Sequence, residues 1–380
     1  MGVKKLGSLI YTKASSSVTF HNFDEYCGTN TVIDAPIQIY KHVLSIRTKL
    51  GGYDLITYDG RMANHVYGIF CKVLSLLKNG INTIWIFDGR PPLIKRATLD
   101  LRRKIRKNAQ KKMFKKENNY PEKFYRRTYV LNTEHINDVQ KVLRLMGVPY
   151  IVAPEEAESV CAEINKRRYV DAVVTDDWDA FLFGSHKMIK RFSKTCNNED
   201  LIETECTDNA DTKNLVQEID LSKILKELNL TFDQFVDLCL ILGTDYCTGI
   251  GGLNPLTAYN KFMKVDCNMI IFIENLIKKN ISLQKIGKLP KYTIPANFLE
   301  QRYVAKKYYR NPAQLDDNIF NNIPNLKWEQ PNIDELKKFL CEDFGLTNYY
   351  PNIEKKIDHI AILYKKYMME QSRLLNLNQL

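Results

Sequence analysis

No cysteine in this chain belongs to a Cys-x-x-Cys pair, although nine cysteines are scattered between Cys27 and Cys341. The six histidines also lack metal-ligand spacing, so free thiols in a reducing compartment are favoured over disulfides or a zinc site. The sequence has no apolar run of membrane-spanning length and no signal-peptide pattern at its N-terminus. We therefore expect a soluble, intracellular chain that does not bind a membrane.

Internal repeats and low-complexity segments are absent too, and an excess of one charge is found only locally. The 380 residues include 55 basic and 44 acidic side chains, a net charge of +11. Between Lys95 and Arg127 there are 14 basic residues and three acids, which leaves 41 of each sign elsewhere. Positive charge concentrated in one segment is typical of a surface that meets a phosphate backbone.

Acidic residues follow several short apolar runs. The runs at 31–34, 84–88, 150–152 and 172–176 are predicted to be parallel strands, and a fifth run ends at Asp245. The carboxyl ends of parallel strands form one edge of a sheet, where these acids would repel one another unless cations neutralised them. The acids are Asp34, Asp88, Glu156, Glu158, Asp177, Asp179 and Asp245.

Two divalent metal ions would neutralise such a cluster and could drive attack on a phosphodiester, so the acids alone predict a metal-dependent nuclease. Helical geometry gives a competing choice among the glutamates. Pro154 is predicted to open a helix, in which Glu156 and Glu158 would point about 200° apart. Spacing alone selects Glu155 and Glu158 as the pair that shares a face.

A basic helix is predicted from Ile94, because apolar residues recur every three or four positions as far as Ala109. The pattern decays near Lys116, and a break follows at 118–121. A solvated charged linker is the alternative interpretation.

Further helices are predicted at about 62–77, 133–147, 221–229 and 232–242, and an acidic surface insertion is predicted at 195–211.

An ordered set of short motifs gives a more specific signal. The motifs are Met-Gly-Val-Lys-Lys-Leu at 1–6, Val-Ile-Asp-Ala at 32–35, Phe-Asp-Gly-Arg-Pro-Pro at 87–92, Gly-Val-Pro-Tyr at 147–150, Ala-Pro-Glu-Glu-Ala-Glu at 153–158, Thr-Asp-Asp-Trp-Asp at 175–179, Gly-Thr-Asp-Tyr-Cys at 243–247 and Leu-Lys-Trp-Glu-Gln-Pro at 326–331. In this order and spacing they resemble the flap endonuclease family, the XPG-type 5′ nucleases, from Met1 to about Cys341.

The resemblance implies that the seven acids form the metal site, and it therefore favours Glu156 over Glu155. Two Mg²⁺ ions are implied, with Mn²⁺ as a substitute, and Asp245 is expected to act through water. Lys95 and Arg102 match the family's catalytic basic residues at the base of its helical arch. They are seven residues apart and lie on one helix face.

The resemblance also implies a set of DNA contacts. The implied residues are Gly2, Tyr40, Arg47, Lys72, Arg103, Arg106, Gly252 and Asn254. Gly2 belongs to an N-terminus that lies near the active site in the family. The arch would hold a single-stranded 5′ end, with Phe114, Phe124 and Tyr125 as stacking groups.

Residues 249–255 resemble the family's helix–two-turn–helix, which binds duplex phosphates and often a monovalent cation. Asn254 stands where a glycine is usual, and Leu256 and Thr257 replace basic residues. Because asparagine tolerates a left-handed backbone, the turn is expected to survive, with a weaker grip on the duplex.

The expected fold is α/β, a parallel sheet with helices on both faces (the PIN-like 5′-nuclease fold). The expected domains are a nuclease core at 1–230 with an arch at about 94–131, a helix–two-turn–helix and helical region at 231–350, and a C-terminal helix or tail at 351–380. The expected function is cleavage of 5′ flaps at junctions of single-stranded and duplex DNA. A 5′→3′ exonuclease, a ribonuclease and a non-catalytic junction-binding protein are the alternatives.

Branched or flapped DNA is the expected partner, and the chain is expected to act as a monomer in the nucleus or at a cytoplasmic site of DNA replication. The segment after Gln371 lacks the aromatic pair of the family's sliding-clamp motif, so no clamp binding is expected through it.

Overall fold

The computed structural model describes residues 2–3, 5–114, 125–126, 128–192, 215–312, 320–321, 323 and 327–377. Within these residues seven strands form one sheet. They are β1 Val18–His21, β2 Asn30–Asp34, β3 Asn82–Phe87, β4 Tyr150–Val152, β5 Ala172–Val174, β6 Lys187–Lys190 and β7 Val216–Asp220.

Helices surround the sheet. They are α1 Leu6–Lys13, α2 Ala35–Lys49, α3 Asn64–Lys78, α4 Arg96–Phe114, α5 Thr133–Leu145, α6 Ala157–Lys166, α7 Asp179–Leu182, α8 Leu221–Leu228, α9 Phe232–Leu242, α10 Pro255–Met263, α11 Met269–Gln284, α12 Phe298–Arg310, α13 Ile333–Lys337 and α14 Ile353–Leu377. Short 3₁₀ turns lie at Ser15–Ser17, Phe23–Tyr26, Leu93–Lys95 and Leu346–Asn348, and a π-helical turn lies at Lys338–Asp343.

The strand order is β1-β7-β6-β5-β2-β3-β4. The four predicted strands, β2, β3, β4 and β5, pair in parallel, and β6 joins them in the same direction. The sheet is mixed, because β7 pairs antiparallel with β6, and the edge strand β1 pairs antiparallel with β7. Sequence analysis did not identify β1, β6 and β7, which are short and interrupted by polar residues, as in Lys-Met-Ile-Lys of β6.

Successive residues of the central strands face opposite sides of the sheet, as the pleat requires. Ile33 packs into a core with α2, α3 and α5, whereas Val32 faces a smaller core with α6. A third core joins α1 near the N-terminus to α9 and α12. The α/β fold with helices on both faces is therefore confirmed, and the domain division at about residue 230 stays a prediction.

The helices predicted at 62–77, 133–147, 221–229 and 232–242 are confirmed to within two residues at each end. The helix expected to open at Pro154 begins instead at Ala157. The acidic insertion at 195–211 lies outside the described residues. None of the described helices combines the length and apolar character that crossing a bilayer requires.

The basic helix predicted from Ile94 is present as α4, after a 3₁₀ turn at Leu93–Lys95. Its apolar stripe is covered only in part, since Leu101 is 58% and Ile105 is 51% exposed while Ala109 is buried. A helix with such a partly uncovered stripe lies against the core over only part of its length. The remainder of the predicted arch is described only at residues 125–126 and 128–131.

Candidate active site

The carboxyl edge of the sheet carries most of the predicted acids. Asp34 is the last residue of β2, Asp88 follows β3, and Asp177 lies in the turn after β5. Asp34 also caps α2, because its Oδ1 accepts a hydrogen bond from the Ile37 amide at 3.5 Å. Parallel strands therefore bring acids from distant parts of the sequence to one edge.

Burial and mutual repulsion raise the pKa of several of these carboxyls. Asp34 is 2% exposed. Burial, with repulsion from Asp88 and Asp177, raises its pKa to about 8. Burial, Asp177 and Asp34 raise the pKa of Glu158 well above its usual range. Burial and Asp177 do the same to the pKa of Asp179. Acids that perturb one another in this way lie close together, as the strand pattern predicts.

Two basic residues at the start of the arch contact these acids. Lys95 forms an ion pair with Glu156, and its Nζ lies 3.2 Å from Asp245 Oδ2. Arg102 Nη2 donates to both carboxylate oxygens of Asp245, at 2.6 and 2.7 Å. Burial opposes the charge of Lys95, but Glu158 and Glu156 outweigh it and raise the pKa of the ammonium. The base of the basic helix therefore lies on the acidic cluster.

The donor set fits a hard divalent cation. Among the described residues, no three acidic, histidine or cysteine side chains already surround one ion position, and many carboxylate oxygens instead contact basic or hydroxyl groups. Asp179 Oδ1 is buried and has no hydrogen-bond partner in the part of the chain that the structure describes. A buried, unpartnered carboxylate oxygen among repelling acids is a suitable ligand for Mg²⁺, which prefers oxygen donors.

The helical-spacing argument for Glu155 over Glu156 does not hold in the structure. Glu156 precedes α6 as its N-cap, with extended backbone angles of φ −98° and ψ 138°, so the 200° helical separation from Glu158 does not apply. Glu156 contacts Lys95, whereas Glu155 accepts a hydrogen bond from the Tyr308 hydroxyl at 2.8 Å.

Asp176, the spare acid of this turn, forms an ion pair with Lys41. Burial raises its pKa, but Lys41 outweighs burial and the pKa is lowered overall. Asp176 is therefore neutralised by a lysine of α2.

The N-terminal backbone lies directly against the acids. Gly2 has φ +75°, and a Cβ added there would lie 1.8 Å from Asp177 Oδ1 and 2.6 Å from Asp179 Oδ1. Only glycine fits this position.

Tyr40 and Arg47, two of the implied DNA contacts, touch the returning end of the arch. The Tyr40 hydroxyl donates to the backbone oxygen of Arg126. Arg47 pairs with Asp54 at 2.7 Å, and its guanidinium lies 3.8 Å from the centre of the Tyr125 ring. These two side chains therefore connect α2 to residues 125–126.

Lys72, another of the implied DNA contacts, is buried in the structure. It is 4% exposed, and its ammonium lies 4.9 Å from the centre of the Phe192 ring. Burial and repulsion from Lys41 lower its pKa to about 7. The structure therefore places this lysine over an aromatic ring in the core, and a DNA contact by Lys72 stays a prediction.

Arg103 and Arg106 lie on α4. The Arg103 side chain is 69% exposed and pairs with Asp100 at 3.2 Å, while Arg106 is half-buried. Of the predicted stacking residues, Phe124 and the side chain of Phe114 lie outside the described residues.

In the glycine-rich turn before α10, Gly252 adopts a left-handed backbone, but Asn254 does not adopt the one that was expected of it. Gly252 has φ +82°, and an added Cβ would lie 2.1 Å from the Lys291 carbonyl oxygen. Asn254 has φ −91°, so its tolerance of left-handed backbone is not used. It caps α10 instead, accepting from the Thr257 amide at 2.7 Å.

Sequence reasoning missed three hydroxyl donors of the site. Thr175 donates to Asp34 at 2.9 Å, Tyr309 donates to Asp179 at 2.9 Å, and Tyr246 contacts Glu156. Thr175 and Tyr246 lie within the motifs at 175–179 and 243–247, so the sequence already placed them close to the acids. Tyr309 lies far from the acids in sequence and gave no signal.

Comparison with known proteins places these residues in a family. The XPG N-terminal domain matches residues 1–109 and the XPG I-region matches residues 147–245. Flap endonuclease 1 of Homo sapiens is 32% identical over 349 residues, which cover 90% of this chain and 82% of that protein.

Solved structures show the same fold. Flap endonuclease-1 from Methanococcus jannaschii superposes with a TM-score of 0.62 at 22% identity, covering 92% of this chain and 96% of that one. The Holliday junction-resolving enzyme GEN1, solved with product DNA and Mg²⁺, gives 0.58 at 19% identity, covering 93% of this chain and 77% of that one. The chain therefore belongs to the XPG/Rad2 family of structure-specific 5′ nucleases, hydrolases that cleave phosphodiester bonds with divalent metal ions.

Proposed function

We propose that the chain cleaves 5′-flap DNA at the junction of single strand and duplex, in replication, repair or recombination. The observation that carries this proposal is the contact between Lys95 and Arg102, at the base of a basic helix, and the acids Glu156 and Asp245. A helix that attracts a single strand and a cluster suited to metal ions thus meet at one point, where a junction phosphate would sit.

The seven acids would hold two divalent ions, whose chemistry would be the activation of water and the stabilisation of the departing oxygen. Mg²⁺ is the proposed ion, and Mn²⁺ the substitute. The unpartnered oxygen of Asp179 and the raised pKa values of Asp34 and Glu158 support this assignment, because a bound cation would offset the repulsion between these carboxylates.

Lys95 and Arg102 would have two successive roles. Without metal they neutralise Glu156 and Asp245. When cations satisfy those carboxylates, the two basic groups can turn to the scissile phosphate, orient it and stabilise its developing negative charge. Their positions, one on a 3₁₀ turn and one on the first turns of α4, keep them within reach of the same phosphate.

DNA would be held by surfaces on both sides of the site. In this proposal Gly2, Tyr40 and Arg47 would meet the DNA near the junction, and exposed Arg103 with half-buried Arg106 would hold the single strand. The turn around Gly252 and Asn254 would meet duplex phosphates, and a monovalent cation there remains a prediction. We also propose that the chain acts as a monomer, and we propose no clamp binding through the segment after Gln371, which lacks the aromatic pair of the clamp motif.

A substrate panel tests the proposal. The 5′-flap duplex, blunt duplex, 3′-flap, four-way junction and single-stranded RNA are compared with Mg²⁺ under single-turnover conditions. We expect one incision at the flap junction to be the fastest reaction. Faster stepwise release of nucleotides from the blunt 5′ end, or faster cutting of the four-way junction or RNA, would contradict flap cleavage as the principal activity. Tight junction binding without any incision would instead indicate a non-catalytic binding protein.

A further inference from the structure

A tyrosine outside both matched family regions contacts the acidic cluster. Tyr309 lies on α12, beyond residues 1–109 and 147–245, and is 1% exposed. Its hydroxyl donates to Asp179 Oδ2 at 2.9 Å. The other oxygen of this carboxylate, Oδ1, is the buried atom that has no hydrogen-bond partner in the described part of the chain. The two carboxylate oxygens of Asp179 therefore differ, because only Oδ2 accepts a hydrogen bond from Tyr309.

The position of the tyrosine ring is fixed by its neighbours. The centre of the Phe183 ring lies 4.9 Å from that of Tyr309, and the centre of the Tyr246 ring lies 5.1 Å away. Both contacts are edge-to-face, a favourable arrangement for aromatic pairs. The ring therefore has little freedom to carry its hydroxyl away from Asp179.

The helix that carries Tyr309 is also locked in place. Arg302, two turns before Tyr309 on α12, donates to both oxygens of Asp237 on α9 at 2.7 Å. Lys306 reaches the same carboxylate at 2.8 Å. Asp237 is 6% exposed, so this is a buried, charge-assisted contact and not a loose surface pair.

We propose that Tyr309 is a positioning residue that holds Asp179 with Oδ1 facing the metal ions. This inference rests on the proposed metal-dependent function. The hydrogen bond from the Tyr309 hydroxyl to Oδ2 restricts rotation of the Asp179 carboxylate. Oδ1 would therefore face the metal ions without any further loss of side-chain freedom. Hydrogen bonds of this kind to a ligand typically change metal affinity by about 10- to 100-fold when they are removed.

The neighbouring tyrosine differs in its contact. Tyr308 donates to Glu155, which is not among the seven proposed metal-site acids, at 2.8 Å. Of these two adjacent tyrosines of α12, only Tyr309 donates to one of the seven proposed metal-site acids.

The test measures metal affinity without DNA. Mn²⁺ binding to Tyr309→Phe and to the unaltered chain is followed by calorimetry, or by the electron paramagnetic resonance signal of free Mn²⁺. We expect the variant to bind Mn²⁺ about 10- to 100-fold more weakly. The Mg²⁺ concentration for half-maximal cleavage should rise in parallel, while the rate at saturating Mg²⁺ recovers. Tyr259→Phe is the matched control, because its hydroxyl donates to the Leu228 carbonyl at 2.9 Å, away from the acids.

The outcomes separate this inference from the proposed function. Equal Mn²⁺ affinity of Tyr309→Phe and the unaltered chain would overturn the role of Tyr309 alone. Failure of the unaltered chain to bind Mn²⁺ would overturn the metal site and the inference with it. If Tyr309→Phe does not fold, p-aminophenylalanine and p-methylphenylalanine at position 309 provide the same comparison with the ring volume kept. The amino donor should then restore affinity and the methyl group should not; equal affinity for the two would overturn the role.

Discussion

The guanidinium of Arg102 donates to both oxygens of Asp245, at 2.6 and 2.7 Å, across 143 residues of sequence. This contact joins the arch helix to the loop after α9, so a group suited to phosphate and a group suited to metal ions share one position. If metal ions bind Asp245, as proposed, the Arg102 guanidinium becomes available to contact DNA. Binding of metal and binding of the scissile phosphate are therefore expected to support each other.

Arg102→Ala should slow single-turnover cleavage of a 5′ flap by about 10²- to 10³-fold, the cost of losing one preorganised donor to developing charge. Junction binding in Ca²⁺ should change little. Arg103→Ala is the matched control, since this neighbour is 69% exposed at its side chain and pairs only with Asp100 among the contacts described. It should weaken binding of the single strand without a comparable fall in rate, and equal falls in the two variants would remove the catalytic role of Arg102.

Gly2→Ala should lower the cleavage rate by about 100-fold, because a displacement of about 1 Å at a reacting centre has that effect. The new Cβ would meet Asp177 Oδ1 at 1.8 Å. Gly28→Ala has the matching backbone strain, with φ +78°, but nothing within 4 Å of the added atom. It should leave the rate unchanged; an unchanged rate in Gly2→Ala as well would place the N-terminus away from the acids.

The metal-free protein should lose thermal stability as pH rises. Asp34 has a pKa of about 8 in the fold against 3.8 as its ordinary value, so between these values the folded state binds more protons than the unfolded one. The free energy of unfolding therefore falls with increasing pH across this window. Burial and neighbouring acids raise the pKa values of Glu158 and Asp179, which adds in the same direction.

Divalent ions should reverse this trend, because they bind the ionised carboxylates. Calorimetric melting with and without Ca²⁺ at about pH 5.5 and about pH 8 should show the larger increase in Tm at the higher pH. A Ca²⁺ effect that is larger in acid would mean that the perturbed carboxyls are not the ligands.

Changing Lys104, Lys107 and Lys111 to glutamine should flatten the dependence of flap affinity on salt concentration. These exposed lysines lie along α4, and losing three contacts to a single strand should reduce the slope by about 2. Fluorescence anisotropy of flap binding in Ca²⁺, repeated over a series of salt concentrations, measures this slope. The same change at exposed Lys223, Lys226 and Lys355 should leave the slope unaltered; an equal reduction there would show that the arch charge is not specific to DNA binding.

Some of this architecture could be predicted because it is local in the sequence. The apolar runs that end at Asp34 and before Asp88 are strands buried on both faces, and an acid at the carboxyl end of such a strand has only one edge to occupy. The helices with regular apolar spacing were predictable for the same reason. The metal role of these acids stays a prediction that the experiments test.

Other features depend on contacts that no local pattern encodes. Glu156 precedes α6 with an extended backbone, so the helical-periodicity argument for Glu155 has no basis in the structure. Lys72 is a polar residue that is nevertheless buried over Phe192, an outcome decided by packing. Tyr309 reaches Asp179 across 130 residues, and only the tertiary fold brings the two together.

The most direct test compares incision and binding by Asp179→Ala on a 5′-flap duplex. With Mg²⁺ we expect its single-turnover rate to fall by about 10³-fold or more, the scale of losing several kcal/mol of metal-ion stabilisation, while junction affinity in Ca²⁺ stays near that of the unaltered chain. Asp176→Ala, which alters the adjacent turn at an acid paired with Lys41, should still cut. Cleavage by Asp179→Ala at the unaltered rate, or cleavage by the unaltered chain with a chelator in place of Mg²⁺, would contradict the account.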